Sequence, residues 1–144
     1  MTQSSQTALN LLLEEFELLG DWEERYRYVI ELGRDLEPLS DDEHSADNKV
    51  QGCASQVWIV TEPQPDGHLV FRGDSDAHIV KGLIAILLRL YSGQSASDIL
   101  TFDAQAAMQR LGLSEALSAQ RSNGLASMVQ RVRRDAQALK SQRP

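Results

Sequence analysis

The feature that most constrains the fold is the run from Ile79 to Leu90. Ile79, Val80, Leu83, Ile84, Ile86, Leu87, Leu88 and Leu90 surround nearly the whole of a helix drawn through them. A helix apolar on most sides belongs in the core. Gly82 inside it costs about 1 kcal/mol relative to alanine, which predicts a close crossing against another element. The run is well short of the ~20 apolar residues that span a bilayer. With 144 residues, 42% of them hydrophobic, the chain can wrap such a helix in one compact domain over 1–144.

Around that core the periodicity changes twice. Leu9, Leu12, Leu13, Phe16 and Leu19 fall at helical spacing and end near Gly20, with Glu14, Glu15 and Glu17 on a solvated opposite face. Asp21 with Glu24 reads as a capping box opening a second helix. Trp22, Tyr26, Val29, Ile30 and Gly33 share one side of it, and burying the large ones at roughly 1.5–3 kcal/mol each would dock that helix. Pro38 ends it, and Ser40 to His44 reads as a surface loop. From Asn48 the period becomes two: Val57, Ile59 and Thr61 on one face, Gln56, Trp58 and Val60 on the other. Glu62-Pro63-Gln64-Pro65-Asp66-Gly67 is turn chemistry, so His68–Arg72 completes a hairpin. An edge strand near Lys49–Gln51 would make three strands. Asp74 or Ser75 is the expected N-cap of the core helix, and Gly93 its expected end. Ser95 with Asp98, Asp103 and Ser114 mark short helices, and a last amphipathic helix carries Leu125, Met128, Val129, Val132, Ala136 and Leu139 after Arg121-Ser122-Asn123-Gly124. Helices, a small sheet, then helices argue an α+β fold.

Charge narrows the partners. Up to Asp47 there are 13 acidic and 3 basic residues, so the first third carries −10 of a chain whose net charge is −7. Such a surface repels phosphate backbones, which argues against nucleic acid. Arg131, Arg133, Arg134, Lys140 and Arg143 gather toward the end of the last helix, where the dipole favours cations. Met1 to Asn10 lacks the basic start and apolar middle of a secretory signal. A single cysteine allows no internal disulfide, consistent with a reducing cytoplasm, and the lack of a ~20-residue apolar run argues against a membrane span.

For chemistry, His44, His68 and His78 are scattered, and no close-spaced ligand pair or glycine-rich phosphate loop occurs. What stands out is Cys53, between Gly52 and Ala54 at the entry to the first strand. A free thiol is only about 3% thiolate at pH 7. A thiol hydrolase would need a histidine beside it. A dithiol mechanism within one chain is excluded, because no second cysteine exists. Accepting a sulfur atom as a persulfide needs only one sulfur and small neighbours. A buried, inert cysteine in a binding module fits the same residues, and free cysteines are among the most buried residue types.

Several motifs together resemble the SufE family of sulfur acceptors. They are Asp21-Trp22-Glu23-Glu24-Arg25-Tyr26, Gln51-Gly52-Cys53, Ser55-Gln56-Val57-Trp58, Gly73-Asp74-Ser75-Asp76, Ile79-Val80-Lys81-Gly82-Leu83 and Arg121-Ser122-Asn123-Gly124-Leu125. The likeness covers roughly the whole chain and is closer to SufE than to its paralogue CsdE. It implies an IscU-like α+β fold, with a three-stranded antiparallel sheet packed against N- and C-terminal helices. It also implies a cytoplasmic protein with no cofactor or metal of its own, which docks on a SufS-type pyridoxal-phosphate cysteine desulfurase and stimulates it. Cys53 would take the persulfide sulfur and pass it to the SufBCD scaffold for iron–sulfur cluster assembly. Gln51, Gly52, Asp76 and Arg121 would support the loop or meet the partner. A weak homodimer is left open.

Overall fold

The computed structural model describes residues 4–113 and 117–142, and the Ser114 helix start falls outside them. Helix α1 (Ser5–Glu17) is capped by the Ser4 side chain, which accepts from the Thr7 amide, and buries Ala8, Leu9, Leu12 and Phe16. Glu15 is not merely solvated. It holds the Arg89 guanidinium through both carboxylate oxygens, at 2.9 and 2.7 Å. Helix α2 (Trp22–Arg34) starts as expected at Asp21, which accepts from the Glu24 amide at 2.9 Å. The Glu24 side chain reaches back one residue further, to the Gly20 amide.

Trp22 and Tyr26 do not dock α2; each remains 39% exposed. Two glycines bring it instead against the core helix α3 (His78–Tyr91). A Cβ on Gly82 would lie 2.1 Å from the Val29 carbonyl oxygen, and one on Gly33 would lie 2.6 Å from the Gly82 nitrogen. The two backbones touch, so large side chains at the rim are not needed to hold the crossing. The close approach read from Gly82 is therefore present, with α2 as the neighbour.

Strands β1 (Val57–Pro63) and β2 (His68–Ser75) pair antiparallel from Val57 opposite Ser75 to Pro63 opposite Leu69. The third strand is β3 (Gln94–Ser95), beside the start of β2, with His68 opposite Ser95. It forms because Gly93, at φ +85°, turns the chain after α3 and donates its amide to the Leu69 carbonyl. The expected edge strand at Lys49–Gln51 shrinks to one bridge, Lys49 opposite Trp58, on the other side of β1. Its pairing stops where Gly52 adopts φ +87° and turns the chain away from the sheet.

Two boundaries differ from expectation for the same reason. Strand β2 continues through Gly73–Ser75, and α3 has Ala77 at its N-cap without a side-chain cap. Asp74 and Ser75, the expected caps, are committed elsewhere: Asp74 pairs with His44 at 2.7 Å and with Lys81 at 3.4 Å, and the Ser75 hydroxyl donates to the Gln56 carbonyl at 2.7 Å. Ser95 and Asp103 do cap short helices, α4 (Ala96–Thr101) and α5 (Ala104–Arg110). Helix α6 (Ala119–Gln142) begins before Arg121-Ser122-Asn123-Gly124, not after it, so Gly124 lies inside a helix. The Ser118 hydroxyl accepts the Arg121 amide at its start.

Helix α6 crosses β1 through side chains as well as apolar contact. Thr61 donates to Asp135 at 2.6 Å, and Arg131 donates to Asp135 at 3.0 Å and to the Ile59 carbonyl at 3.3 Å. Arg131 thus sits mid-helix, tied to the sheet, not at a helix end serving the dipole. The 40–44 segment is also more than a surface loop. Glu43 forms an ion pair with Arg72, which pulls its carboxyl down to about 2. His44 bonds to Asp74 at 2.7 Å and meets the Trp58 ring edge-on.

Candidate functional site

Cys53 is presented by the turn that follows the Lys49 bridge. Gly52 must be glycine twice over: its φ of +87° is strained for any L side chain, and a Cβ there would come 2.6 Å from the Ser127 hydroxyl on α6. The turn seats the next residue against the same helix. The Cys53 thiol donates a long bond, 3.6 Å, to the Gly124 carbonyl. A methyl group on Gly124 would lie 3.6 Å from the sulfur, an ordinary contact. Gln51, Gly52 and Ala54, which flank Cys53 in the turn, are exposed and small or polar.

The thiol is half-buried at the wall of a cavity of about 350 Å³. Val57, Val80, Leu83 and Met128 make its apolar floor, and Ser55 and Arg121 stand among its polar lining. Burial pushes the Cys53 thiol up from its usual value, and no opposing influence brings it down. The resting sulfur is therefore a neutral thiol, with less thiolate than the ~3% of a free cysteine at pH 7. A neutral thiol held on a carbonyl is a poor nucleophile until it is deprotonated.

The residues singled out in the sequence separate into three places. Arg121 shares the cavity with Cys53. Gln51 lines a different cleft, on the other side of the turn. Asp76 supports the strand that leaves the loop, by exchanging hydrogen bonds with both backbone groups of Gln56. None of the three histidines lines the Cys53 cavity, so the Cys–His arrangement of a hydrolase is not assembled among the described residues. Nor do the described residues bring together three or more potential metal ligands. Among them, too, no helix is long and apolar enough to cross a membrane.

Ser127, Met128 and the role of Gly124 were not legible in advance. Their signal was present only as helical spacing: Gly124 and Ser127 are three apart and Gly124 and Met128 four, one face of one helix. That face points at a loop 71 residues earlier in the chain.

The class this defines is an α+β scaffold that holds one thiol on a glycine-turned loop beside a small cavity. Residues 10–136 match SufE, described as an Fe-S metabolism associated domain. An uncharacterized SufE-like protein of Rhizobium etli is 52% identical over 132 residues, covering 90% of this chain and 89% of its own length. Another, from Rhizobium meliloti, is 48% identical over 134 residues and covers 91% and 96%. The solution structure of a hypothetical protein from Thermus thermophilus shares the fold, with a TM-score of 0.76 at 19% identity, covering 93% of this chain and 96% of that one. The chain belongs to the SufE family, and with it goes a sulfur-acceptor role in iron–sulfur metabolism.

Proposed function

We propose that Cys53 is the acceptor. In the step we infer, the Cys53 sulfur, deprotonated on docking, attacks the outer sulfur of a persulfide on a cysteine desulfurase. A new S–S bond forms to Cys53 as the partner's S–S bond breaks, and the partner's cysteine leaves as thiolate. One disulfide-type bond is exchanged for another, so no oxidant or reductant is consumed. The desulfurase, of the SufS type and carrying pyridoxal phosphate, does the carbon–sulfur bond breaking. This chain speeds its turnover by removing the product, then delivers the sulfur to a SufBCD scaffold in the cytoplasm, with residues 1–144 acting as one domain.

The observation that carries this reading is the seat of the sulfur: the chain's single thiol, half-buried beside a 350 Å³ cavity, held by one long bond on a glycine turn. A half-buried seat shields a sulfane sulfur from small thiols, and a loop so lightly held can be lifted by a partner. Arg121 lines the same cavity, which supports a role for it in meeting that partner.

Cys53→Ser is expected to stay folded and to lose all stimulation of an active cysteine desulfurase. Mass spectrometry of the wild type after incubation with desulfurase and cysteine should find one added sulfur on Cys53, removed by reductant. An unmodified Cys53 beside a working desulfurase would sink the proposal. Retention of both binding and stimulation by Cys53→Ala would instead make this a binding module with a structural cysteine.

A further inference from the structure

A second cleft, of about 480 Å³, opens on the far side of the cysteine turn, between the 46–51 segment and α6. Three cations line it, Lys49, Arg131 and Arg134, against one carboxylate, Asp47. In a chain of net charge −7 this is not general basicity. Arg131 is the fixed member: its side chain is 11% exposed, and Asp135 and the Ile59 carbonyl hold it through one Nε and one Nη2 bond. Asp135 is itself anchored by Thr61. A guanidinium has five N–H donors in a rigid fork, so Arg131 keeps donors for the cleft that it lines. Lys49 and Arg134 are exposed on either side. Gln51 also lines the cleft, and only Gly52 separates it from Cys53, which lines the other cavity.

We propose that this cleft receives the carboxylates of an acidic segment on the cysteine desulfurase, an inference that rests on the function proposed above. Fork-shaped guanidinium donors match carboxylates in a bidentate manner, and a preordered Arg131 loses little freedom in binding them. A carboxylate seated there touches the Gln51 side of the turn whose other side carries the thiol. Docking of the partner and lifting of Cys53 from α6 are thereby coupled across a single glycine.

The test compares two charge reversals of equal size. Lys49→Glu/Arg134→Glu changes the cleft; Arg110→Glu/Lys140→Glu changes exposed cations on α5 and the end of α6. Each is titrated into a cysteine desulfurase at low and high salt, reading the concentration that half-saturates stimulation. For the cleft pair that concentration should rise on the order of tenfold at low salt, and the gap should narrow at high salt as exposed charges are screened. The neutral pair Lys49→Gln/Arg134→Gln should shift it less, and thermal unfolding of each variant checks that the fold is intact. The control pair should move half-saturation little. An unshifted cleft pair, or an equal shift in the control, overturns the assignment. Wild-type protein that neither stimulates an active desulfurase nor accepts its sulfur removes the function proposal and this one together; normal wild-type transfer with an unshifted cleft pair removes this one alone.

Discussion

Gly82 and Gly124 both sit inside helices, where glycine costs about 1 kcal/mol against alanine, yet they serve opposite ends. At Gly82 a Cβ would meet the Val29 carbonyl oxygen at 2.1 Å and the Val29 side chain at 2.5 Å. At Gly124 it would meet the Cys53 sulfur at 3.6 Å, with nothing closer. The first contact is backbone against backbone and has no slack. The second leaves space for about a methyl group beside a thiol. One glycine closes the α2–α3 crossing backbone against backbone; the other keeps a gap beside Cys53, where the proposed persulfide sulfur would be added.

The largest expected effect follows from the closed site. Gly82→Ala forces α2 and α3 apart and should cost on the order of 3 kcal/mol. For a domain of this size that lowers Tm by roughly 10 °C, read by circular dichroism. If alanine is accepted there without loss, the two glycines are not different in kind. Gly124→Ala should do the reverse in stability, a gain of up to about 1 kcal/mol from helix propensity, measured by denaturant unfolding. Its methyl group occupies space beside Cys53, so persulfide formation should slow while folding improves. A destabilised Gly124→Ala with unimpaired sulfur transfer would break the comparison from the other side.

The smallest effect concerns the link between the 40–44 segment and the sheet. Both ring nitrogens of His44 face acceptors, the Ser40 carbonyl at 2.8 Å and Asp74 at 2.7 Å, an arrangement that suits the protonated ring. The Asp74 carboxylate raises the His44 pKa, against a weaker opposing effect of desolvation, with help from the Ser40 carbonyl and Asp41. Lys81 also faces Asp74, at 3.4 Å. A raised folded-state pKa means that this contribution is complete below the unfolded value of about 6.5 and is lost as pH rises through the folded value. The Tm difference between wild type and His44→Gln should therefore shrink from pH 6 toward pH 8. A difference independent of pH would mean that His44 is held by Trp58 packing alone.

Much of this was readable in advance where neighbours in sequence decide the outcome. Asp21, Ser95 and Asp103 cap their helices as their spacing indicates, because a cap is a bond between residues three apart. The hairpin turn at Pro65-Asp66-Gly67 is local chemistry too, and Gly67 has the positive φ, +91°, that it demands. The errors arose where a side chain had two possible partners. Asp74 and Ser75 look like caps, but His44 claims Asp74 from 30 residues away and the Gln56 carbonyl claims the Ser75 hydroxyl from 19. Arg131 looks like a tail cation, yet the Ile59 carbonyl binds it from 72 residues away. Trp22 and Tyr26 look like docking residues, but two glycine backbones meet first.

The sequence by itself determined the core helix, the hairpin, the need for glycine at position 82 and the presence of one thiol in a small-residue turn. Period, propensity and turn chemistry are short-range, and the chain states them directly. Only the tertiary structure decided that the third strand is Gln94–Ser95, that α6 starts before Gly124, and that the cysteine turn divides the cavity of the thiol from a basic cleft. Those outcomes depend on which distant backbone reaches a side chain first. For Cys53 that backbone is the Gly124 carbonyl, 71 residues further along.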